Sequence, residues 1–185
     1  NGSPMGPLET LDSISIETAY HASKQTQADA LARGEEPETG PQAEVIRGMF
    51  EDAGRKGQNK GGGFYDYDEN GKKIATWPGL KELFAKNGYR DIPYQDIKDR
   101  LLFCQVLEAI RIMEEGVLTS VGDGNIGSIM GIGFPPHTGG VYQCVNAYGV
   151  QAFAERAKEL AASYGEVFEP PQLLLDMASE GQTFT

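Results

Sequence analysis

Two segments rich in glycine and proline, one at the start and one in the last third of the chain, constrain the fold of this sequence most. The segments are Gly2–Asp12 and Gly133–Tyr142. When three residues are inserted in the second segment, Asp12 aligns with Asn146 and Ser15 aligns with Gly149. Recurrence of a similar segment at a long spacing is typical of a repeated structural unit, so the sequence predicts a duplicated helical unit.

The negative net charge of the chain argues against a protein that binds nucleic acid or an anionic membrane. The net charge is −11 over 185 residues, whereas binding to nucleic acid or to an anionic membrane needs clustered Lys and Arg. No segment reaches the roughly 20 apolar residues of a membrane span. Two cysteines, Cys104 and Cys144, are too few for a disulfide framework or a zinc site. With no secretory signal visible, we expect a cytoplasmic protein that neither binds nucleic acid nor inserts into a membrane.

Hydrophobic periodicity and stop signals predict a mainly α fold with one small β-hairpin. The predicted helices cover 7–33, 45–53, 80–86, 94–116, 120–130, 149–164 and 170–180, and the hairpin strands cover 64–67 and 72–77 around Asn70-Gly71. The helix over 94–116 is apolar on most of its surface, so we expect it to be buried against several others. We expect two units, 1–88 and 89–185. The first has no counterpart of the long helix, which indicates that it begins partway through a domain.

Two motifs that suggest ligands fit their context poorly. Gly122–Gly127 satisfies the Gly-x-Gly-x-x-Gly pattern, but a long predicted helix precedes it where a dinucleotide site needs a strand. We interpret it as a turn between helices. Asp66–Gly71 opens like a calcium-binding loop, but its twelfth position is Trp77 where a bidentate Glu is needed. We interpret it as a polar hairpin tip.

The glycine-dense loop over 55–63 has two interpretations. Consecutive glycines permit positive φ and close backbone approach, and Arg55, Lys56 and Lys60 add positive charge, so the loop could bind a phosphate or a carboxylate. Alternatively, it is a tight turn that leads into the hairpin, and the sequence favours this structural interpretation. Of the two histidines, His21 lies on a predicted helix, and His137 in its proline-glycine loop is the better candidate for a site.

Four motifs in a fixed order resemble one known family. They are Gly-x-Pro-Met-Gly-Pro with a short Leu-rich helix ending in Asp (2–12), the glycine loop with its aromatic hairpin (57–67), the long helix (99–116) and the loop Gly-Ile-Gly-Phe-Pro-Pro-His-Thr-Gly-Gly (131–140). Together they are similar to the C-terminal helical region of 3-hydroxyacyl-CoA dehydrogenase, in the duplicated form of the multifunctional fatty-acid oxidation enzymes. The family pattern differs at Asn59 and Lys60, and at Asp99, where the family has Asn before the Arg of the long helix.

The resemblance implies a fold and a function. It implies two helical copies like the C-terminal domain of 6-phosphogluconate dehydrogenase, packed as an internal pseudo-dimer. It implies the substrate-cleft and dimerisation region of an NAD-dependent enzyme that oxidises (S)-3-hydroxyacyl-CoA in fatty-acid β-oxidation. NAD and the catalytic pair would belong to an upstream Rossmann domain, so we expect this chain alone to bind no NAD, to contain no catalytic residue or metal site and to be inactive.

The resemblance also implies which residues approach the acyl-CoA substrate. They are Pro4, Met5, Gly6, Pro7, Gly57, Asn59, Lys60 and Gly61. Two alternatives remain open at this stage: a helical protein-interaction module without a ligand, and an independent enzyme that uses His137.

Overall fold

The computed structural model describes residues 5–37, 40–85, 88 and 90–185. They form two compact units, Met5–Arg90 and Asp91–Thr185, each with its own hydrophobic core. Within the described residues the fold is mainly α with one two-stranded antiparallel hairpin, which confirms the predicted fold class. None of the helices in this part of the chain combines the length and the apolar character needed to cross a membrane.

The first unit is built from short helices and the hairpin. Its elements are α1 (Pro7–Ile14), α2 (Ile16–Ala32), α3 (Pro41–Arg47) with a following turn of π-helix (Gly48–Asp52), a 3₁₀ turn (Gln58–Lys60), β1 (Tyr65–Tyr67), β2 (Lys73–Thr76) and α4 (Gly79–Phe84). Ile16, Ile46, Met49 and Phe64 are its buried core, and the Trp77 side chain packs against them.

A sharp break at Ser15 divides the helix that the sequence predicts over 7–33. Ser15 has φ 89° and ψ 120°, outside the helical region, and it is the one non-glycine residue with positive φ in the described chain. The same break recurs in the second unit at Gly149, with φ 93° and ψ 116°. The prediction of a continuous helix was wrong because neither glycine nor proline marks the first break.

The second unit, all of whose residues from 91 to 185 the structure describes, contains five α-helices. They are α5 (Tyr94–Glu114), α6 (Val121–Ile132), α7 (Val141–Tyr148), α8 (Val150–Tyr164) and α9 (Gln172–Glu180), with 3₁₀ turns at Pro136–Thr138 and Glu166–Phe168. The Ser120 hydroxyl accepts a hydrogen bond from the Asp123 amide at 3.2 Å, which confirms the predicted cap of α6. The predictions did not include α7, whose first turn depends on a distant residue: the Asn125 side-chain oxygen accepts from the Tyr142 amide at 2.9 Å.

Burial of α5 is one-sided. Phe103, Leu107 and Ile110 are fully buried, and the Phe103 ring stacks on that of Phe153 with centroids 3.9 Å apart. On another face, Tyr94 is 77% exposed and Ile97 is 42% exposed. α5 packs against α7, α8 and α9, which confirms the prediction that it is buried against several helices, but this face of its first turns is exposed.

We expect Gly149→Ala to lower the stability of the second unit by about 1–2 kcal/mol, because an alanine must adopt the positive φ of the break. Steric overlap is not the cause, since the nearest atom to an added Cβ is the Ala152 Cβ at 3.9 Å. Urea unfolding followed by far-ultraviolet circular dichroism measures the change.

Gly127→Ala is the matched control. Gly127 lies inside α6 with open space around an added Cβ and without positive φ, so the substitution should be neutral or stabilising. Equal losses in the two variants would contradict the assignment of strain to the break.

Candidate functional site

The predicted substrate-binding residues that the structure describes all belong to the first unit. Pro4 lies outside the described residues; the others are Met5, Gly6, Pro7, Gly57, Asn59, Lys60 and Gly61. Met5 is 39% exposed at the start of α1, and α1 contacts the 3₁₀ turn Gln58–Lys60. Asn59 and Lys60 are exposed on that turn, whereas Gly57 is buried.

The glycine loop, Gly57–Gly63, is a closed and well-supported turn. Gly57 and Gly62 exchange two backbone hydrogen bonds, each 3.0 Å long. The Gln58 side-chain amide donates to the Gly71 carbonyl oxygen at 2.6 Å, which ties the loop to the hairpin tip. These hydrogen bonds hold the base of the loop in place, while its turn at Asn59 and Lys60 is exposed.

A buried carboxylate holds the end of this loop. Asp12 is 1% exposed; its Oδ1 accepts from the Phe64 amide at 2.8 Å, and its Oδ2 accepts from the Tyr65 amide at 3.0 Å and the Tyr67 hydroxyl at 2.9 Å. Burial, followed by the hydrogen bond to Asp12, raises the pKa of Tyr67. The phenol therefore remains a donor to the carboxylate.

The close approach to Asp12 explains two of the glycines. A Cβ on Gly63 would lie 1.9 Å from the Asp12 Oδ1 atom, and a Cβ on Gly57 would lie 2.8 Å from the Asp12 carbonyl oxygen. Neither distance is possible for non-bonded atoms, so larger residues cannot fit here without movement of the backbone. These contacts support the structural interpretation of the glycine loop.

The three basic side chains of the loop all form hydrogen bonds or ion pairs within the first unit. Arg55, whose side chain is 14% exposed, donates to the Gly63 carbonyl at 2.8 Å and to the Asp66 carboxylate at 2.6 Å. Lys60 and Lys56 both form ion pairs with Glu17, and their hydrogen bonds lower the pKa of its carboxyl. The geometry therefore does not support the phosphate nest, although Lys60 remains half exposed.

The two motifs that suggested other ligands have structural roles. Gly122–Gly127 lies inside α6, not in a turn between helices as the sequence indicated, and not between a strand and a helix. At the hairpin tip, the Asp68 Oδ1 atom accepts from the backbone amides of Asn70 and Lys72 at 2.9 and 2.8 Å. No cluster of potential metal ligands occurs among the described residues.

Neither histidine has a catalytic environment. His137 is exposed in the 3₁₀ turn before α7, and within the described chain no hydrogen bond or ion pair reaches its side chain. His21 is exposed and makes edge contacts with the rings of Tyr20 and Phe50. A general base needs an orienting partner, so the geometry does not favour an independent histidine enzyme.

Asp99 belongs to an ion-pair network inside the second unit. Its Oδ2 accepts from the Arg156 Nε at 2.8 Å, and its Oδ1 accepts from the Gln95 side chain at 2.6 Å. Asp96 binds the Arg156 Nη2 and the Tyr164 hydroxyl, both at 2.5 Å, and these hydrogen bonds lower the pKa of Asp96. The network fastens α5 to α8, so Asp99 is a structural residue here.

In the first unit, the side chain of Asp12 accepts from the backbone amide of the aromatic residue Phe64, a contact that we call the aromatic clamp. The second unit has a similar contact. The Asn146 Oδ1 accepts from the Phe184 amide at 2.9 Å, and its Nδ2 donates to the Phe184 carbonyl at 2.8 Å. Asn146 occupies the place in α7 that Asp12 occupies in α1, three residues before the break in each case. The sequence alignment of Asp12 with Asn146 was the signal for this shared contact, but the aromatic partners could not be found from it.

An apolar cavity of about 520 Å³ lies between α5 and α6. Ala109, Ile112, Leu118 and Ile132 are among its apolar lining, and Cys104 borders it. Burial raises the pKa of the Cys104 thiol, so the cysteine is a neutral part of an apolar wall. No sequence motif indicated this cavity.

We expect Asp12→Ala to lower the free energy of unfolding of the first unit by about 3 kcal/mol, because two backbone amides and a hydroxyl lose their shared acceptor. The fluorescence of Trp77, the one tryptophan of the sequence, follows urea unfolding of this unit. Asp12→Asn should lose less, since its amide oxygen still accepts, as Asn146 does.

Asp68→Ala is the matched control for Asp12→Ala. Asp68 also accepts from two backbone amides, but it is exposed, so water replaces its hydrogen bonds at a cost below about 1 kcal/mol. If both alanine variants lose the same stability, burial is not what makes Asp12 important.

A comparison with known protein families finds a match to the first part of the chain. Residues 1–67 match the model described as 3-hydroxyacyl-CoA dehydrogenase, C-terminal domain. The matched range includes α1, α2, α3, the glycine loop and β1, and therefore every residue predicted to approach the substrate. Over residues 1–67 of its 185, the chain is therefore similar to a C-terminal region of 3-hydroxyacyl-CoA dehydrogenase.

Proposed function

We propose that this chain forms the substrate-cleft and association region of an NAD-dependent (S)-3-hydroxyacyl-CoA dehydrogenase of fatty-acid β-oxidation. The start of α1 and the turn at Asn59 and Lys60 would face the acyl-CoA. One observation carries the proposal: the family match covers a hydrogen-bonded loop whose tip is exposed and whose 3₁₀ turn contacts α1. A fixed, exposed turn is suited to positioning a ligand, because little of its order is lost or gained on binding.

The proposed role of this chain is to bind and orient the substrate and to exclude water, not to transfer the hydride. A dinucleotide site of the Rossmann type needs a parallel sheet with a glycine-rich strand-to-helix turn, and the strands of the described residues form only the antiparallel hairpin. NAD chemistry and the catalytic pair are therefore assigned to an upstream domain, and the chain alone should be inactive. Lys60, which pairs with Glu17 and is half exposed, is the group of this loop that we propose for an anionic part of the substrate.

The second unit is proposed to be a second copy of the first. The matching breaks at Ser15 and Gly149 and the matching aromatic clamps at Asp12 and Asn146 support this proposal. Within the described residues, α5 and α6 precede the part of the second unit that matches the first unit. Internal pseudo-dimer packing and cytoplasmic location remain predictions of the sequence.

Association is proposed to use an exposed apolar face of the second unit, which we call the α5–α6 surface. Its residues are Tyr94, Ile97, Leu101, Ile126 and Met130, which are between 39% and 81% exposed. Successive residues on each helix are three or four positions apart, so each set shares one face. The groove between the helices is lined by apolar side chains. Exposed apolar side chains that share a helix face mark an interaction surface.

The same surface favours the alternative function, a helical protein-interaction module without a ligand. Both functions place a protein on the α5–α6 surface, but only the dehydrogenase region binds acyl-CoA near the glycine loop. Acyl-CoA binding therefore separates the two.

We expect the chain to bind acetoacetyl-CoA saturably in isothermal titration at low salt, and Lys60→Ala to weaken that binding several-fold. The physical reason is the loss of the half-exposed ammonium group at the loop tip. Lys72→Ala is the control, because Lys72 is an exposed lysine of the hairpin tip in the same unit. Failure to bind any acyl-CoA, even after the nucleotide-binding domain is supplied as a separate chain, would refute the proposed function.

We expect the chain to self-associate in sedimentation velocity, and Met130→Glu to shift it towards monomer, because a carboxylate on the α5–α6 surface would have to be desolvated in the interface. Ile74→Glu is the control, since Ile74 is 66% exposed on β2, outside this surface. Equal association of the two variants would exclude the α5–α6 surface from self-association.

A further inference from the structure

A second pocket, of about 450 Å³, lies at the break between α7 and α8. Its residues are Asn146, Gly149, Gln151, Glu155, Gln182 and Thr183, together with small side chains of α8 and α9. Polar and apolar groups share the lining, and the first backbone amides of α8 have no acceptor within the helix.

The equivalent place in the first unit is filled by the protein itself. There the Lys56 carbonyl oxygen accepts from the Ser15 hydroxyl at 3.0 Å and from the Glu17 amide in the first turn of α2 at 3.3 Å. The glycine loop that follows packs directly against the break, since a Cβ on Gly57 would lie 3.0 Å from the Ser15 Cα. Lys56 and Lys60 also pair with Glu17.

The second unit has the same break between two helices, but the described residues include no equivalent of the segment that fills the place in the first unit. Gly149 stands at the place of Ser15, and Gln151 at the place of Glu17. The clamped Phe184 directly follows Thr183, whereas the clamped Phe64 is separated from Lys56 by the glycine loop. The pocket bordered by Gln151 and Thr183 is the space that a glycine loop would occupy.

We propose that this pocket, the α8 pocket, binds a glycine-containing basic turn of a partner polypeptide. A backbone carbonyl of the turn accepts from the Gln151 amide, as the Lys56 carbonyl does from Glu17 in the first unit. A basic side chain of the turn lies at Glu155, whose carboxylate now accepts from the Gln151 side chain at 3.1 Å. Only a turn with glycine can approach the break as closely as Gly57 approaches Ser15.

The chemistry of the pocket favours this occupant over an anion. Glu155 borders the pocket in a chain of net charge −11, so a phosphate or carboxylate would meet a carboxylate at close range. A neutral carbonyl satisfies the α8 amides without that repulsion, and a lysine beside it gains a partner. The proposal is independent of acyl-CoA binding, which concerns the first unit.

The test uses the whole chain and a peptide copied from the occupied site. The probe is a head-to-tail cyclised peptide with the sequence of residues 56–63, because a closed turn loses less conformational freedom on binding than a linear one. We expect saturable shifts of the backbone amide resonances of Gln151 and Thr183 in ¹⁵N-labelled protein. A peptide with Gly57→Ala and Gly63→Ala should bind at least about tenfold more weakly, because added methyl groups prevent close approach.

Two protein variants complete the test. Ala152→Phe places a ring in the α8 pocket from an exposed position and should abolish binding, with unchanged resonances of the buried Phe153 and Leu160 as the check on folding. Glu155→Gln preserves shape and should weaken binding several-fold and reduce its salt dependence. Absence of saturable shifts, equal binding of the alanine peptide, or unchanged binding by Ala152→Phe would each overturn the proposal.

Discussion

The carboxylate of Asp12 is the interaction on which the first unit depends. Asp12 lies in the last turn of α1. Its carboxylate accepts from the backbone amides of Phe64 and Tyr65, where the hairpin begins, and from the hydroxyl of Tyr67 at the other end of β1. Buried backbone amides must find acceptors, and here a single side chain supplies them. The end of the glycine loop is thereby fixed to α1. Because Gly63 lies against the same carboxylate, the loop must have glycine at this point.

The second unit solves the same problem with Asn146, a neutral side chain that both accepts from and donates to Phe184. The difference follows from the number of donors. Asp12 accepts from three donors, which suits a carboxylate. Asn146 accepts from one donor and donates to the Phe184 carbonyl and to the Gln143 side-chain oxygen, which suits an amide. Two helices with a break between them thus support a long loop before Phe64 in the first unit, and a short connection from α9 to Phe184 beside an open pocket in the second.

In both units, the basic residues at the sites described above form ion pairs with acidic residues of the same unit. In the first unit, Arg55 donates to backbone carbonyl oxygens and pairs with Asp66, and Glu17 forms ion pairs with two lysines. In the second unit, Arg156 lies between Asp96 and Asp99. Clusters of basic residues that look available in the sequence are therefore largely structural, while the apolar α5–α6 surface is open. For a ligand or partner, exposure in the folded chain is more informative than residue type.

The sequence by itself determined the helical class, the hairpin at Asn70-Gly71, the cap of α6 and the alignment of Asp12 with Asn146, because each follows from local periodicity, turn chemistry or repetition. Only the tertiary structure decided the break at Ser15, the formation of α7 and the burial of Asp12. Those features depend on contacts between residues far apart in the chain, such as Lys56 with Ser15 and Asn125 with Tyr142. Local preference cannot encode them, because the hydrogen-bond partner that stabilises each conformation comes from another element.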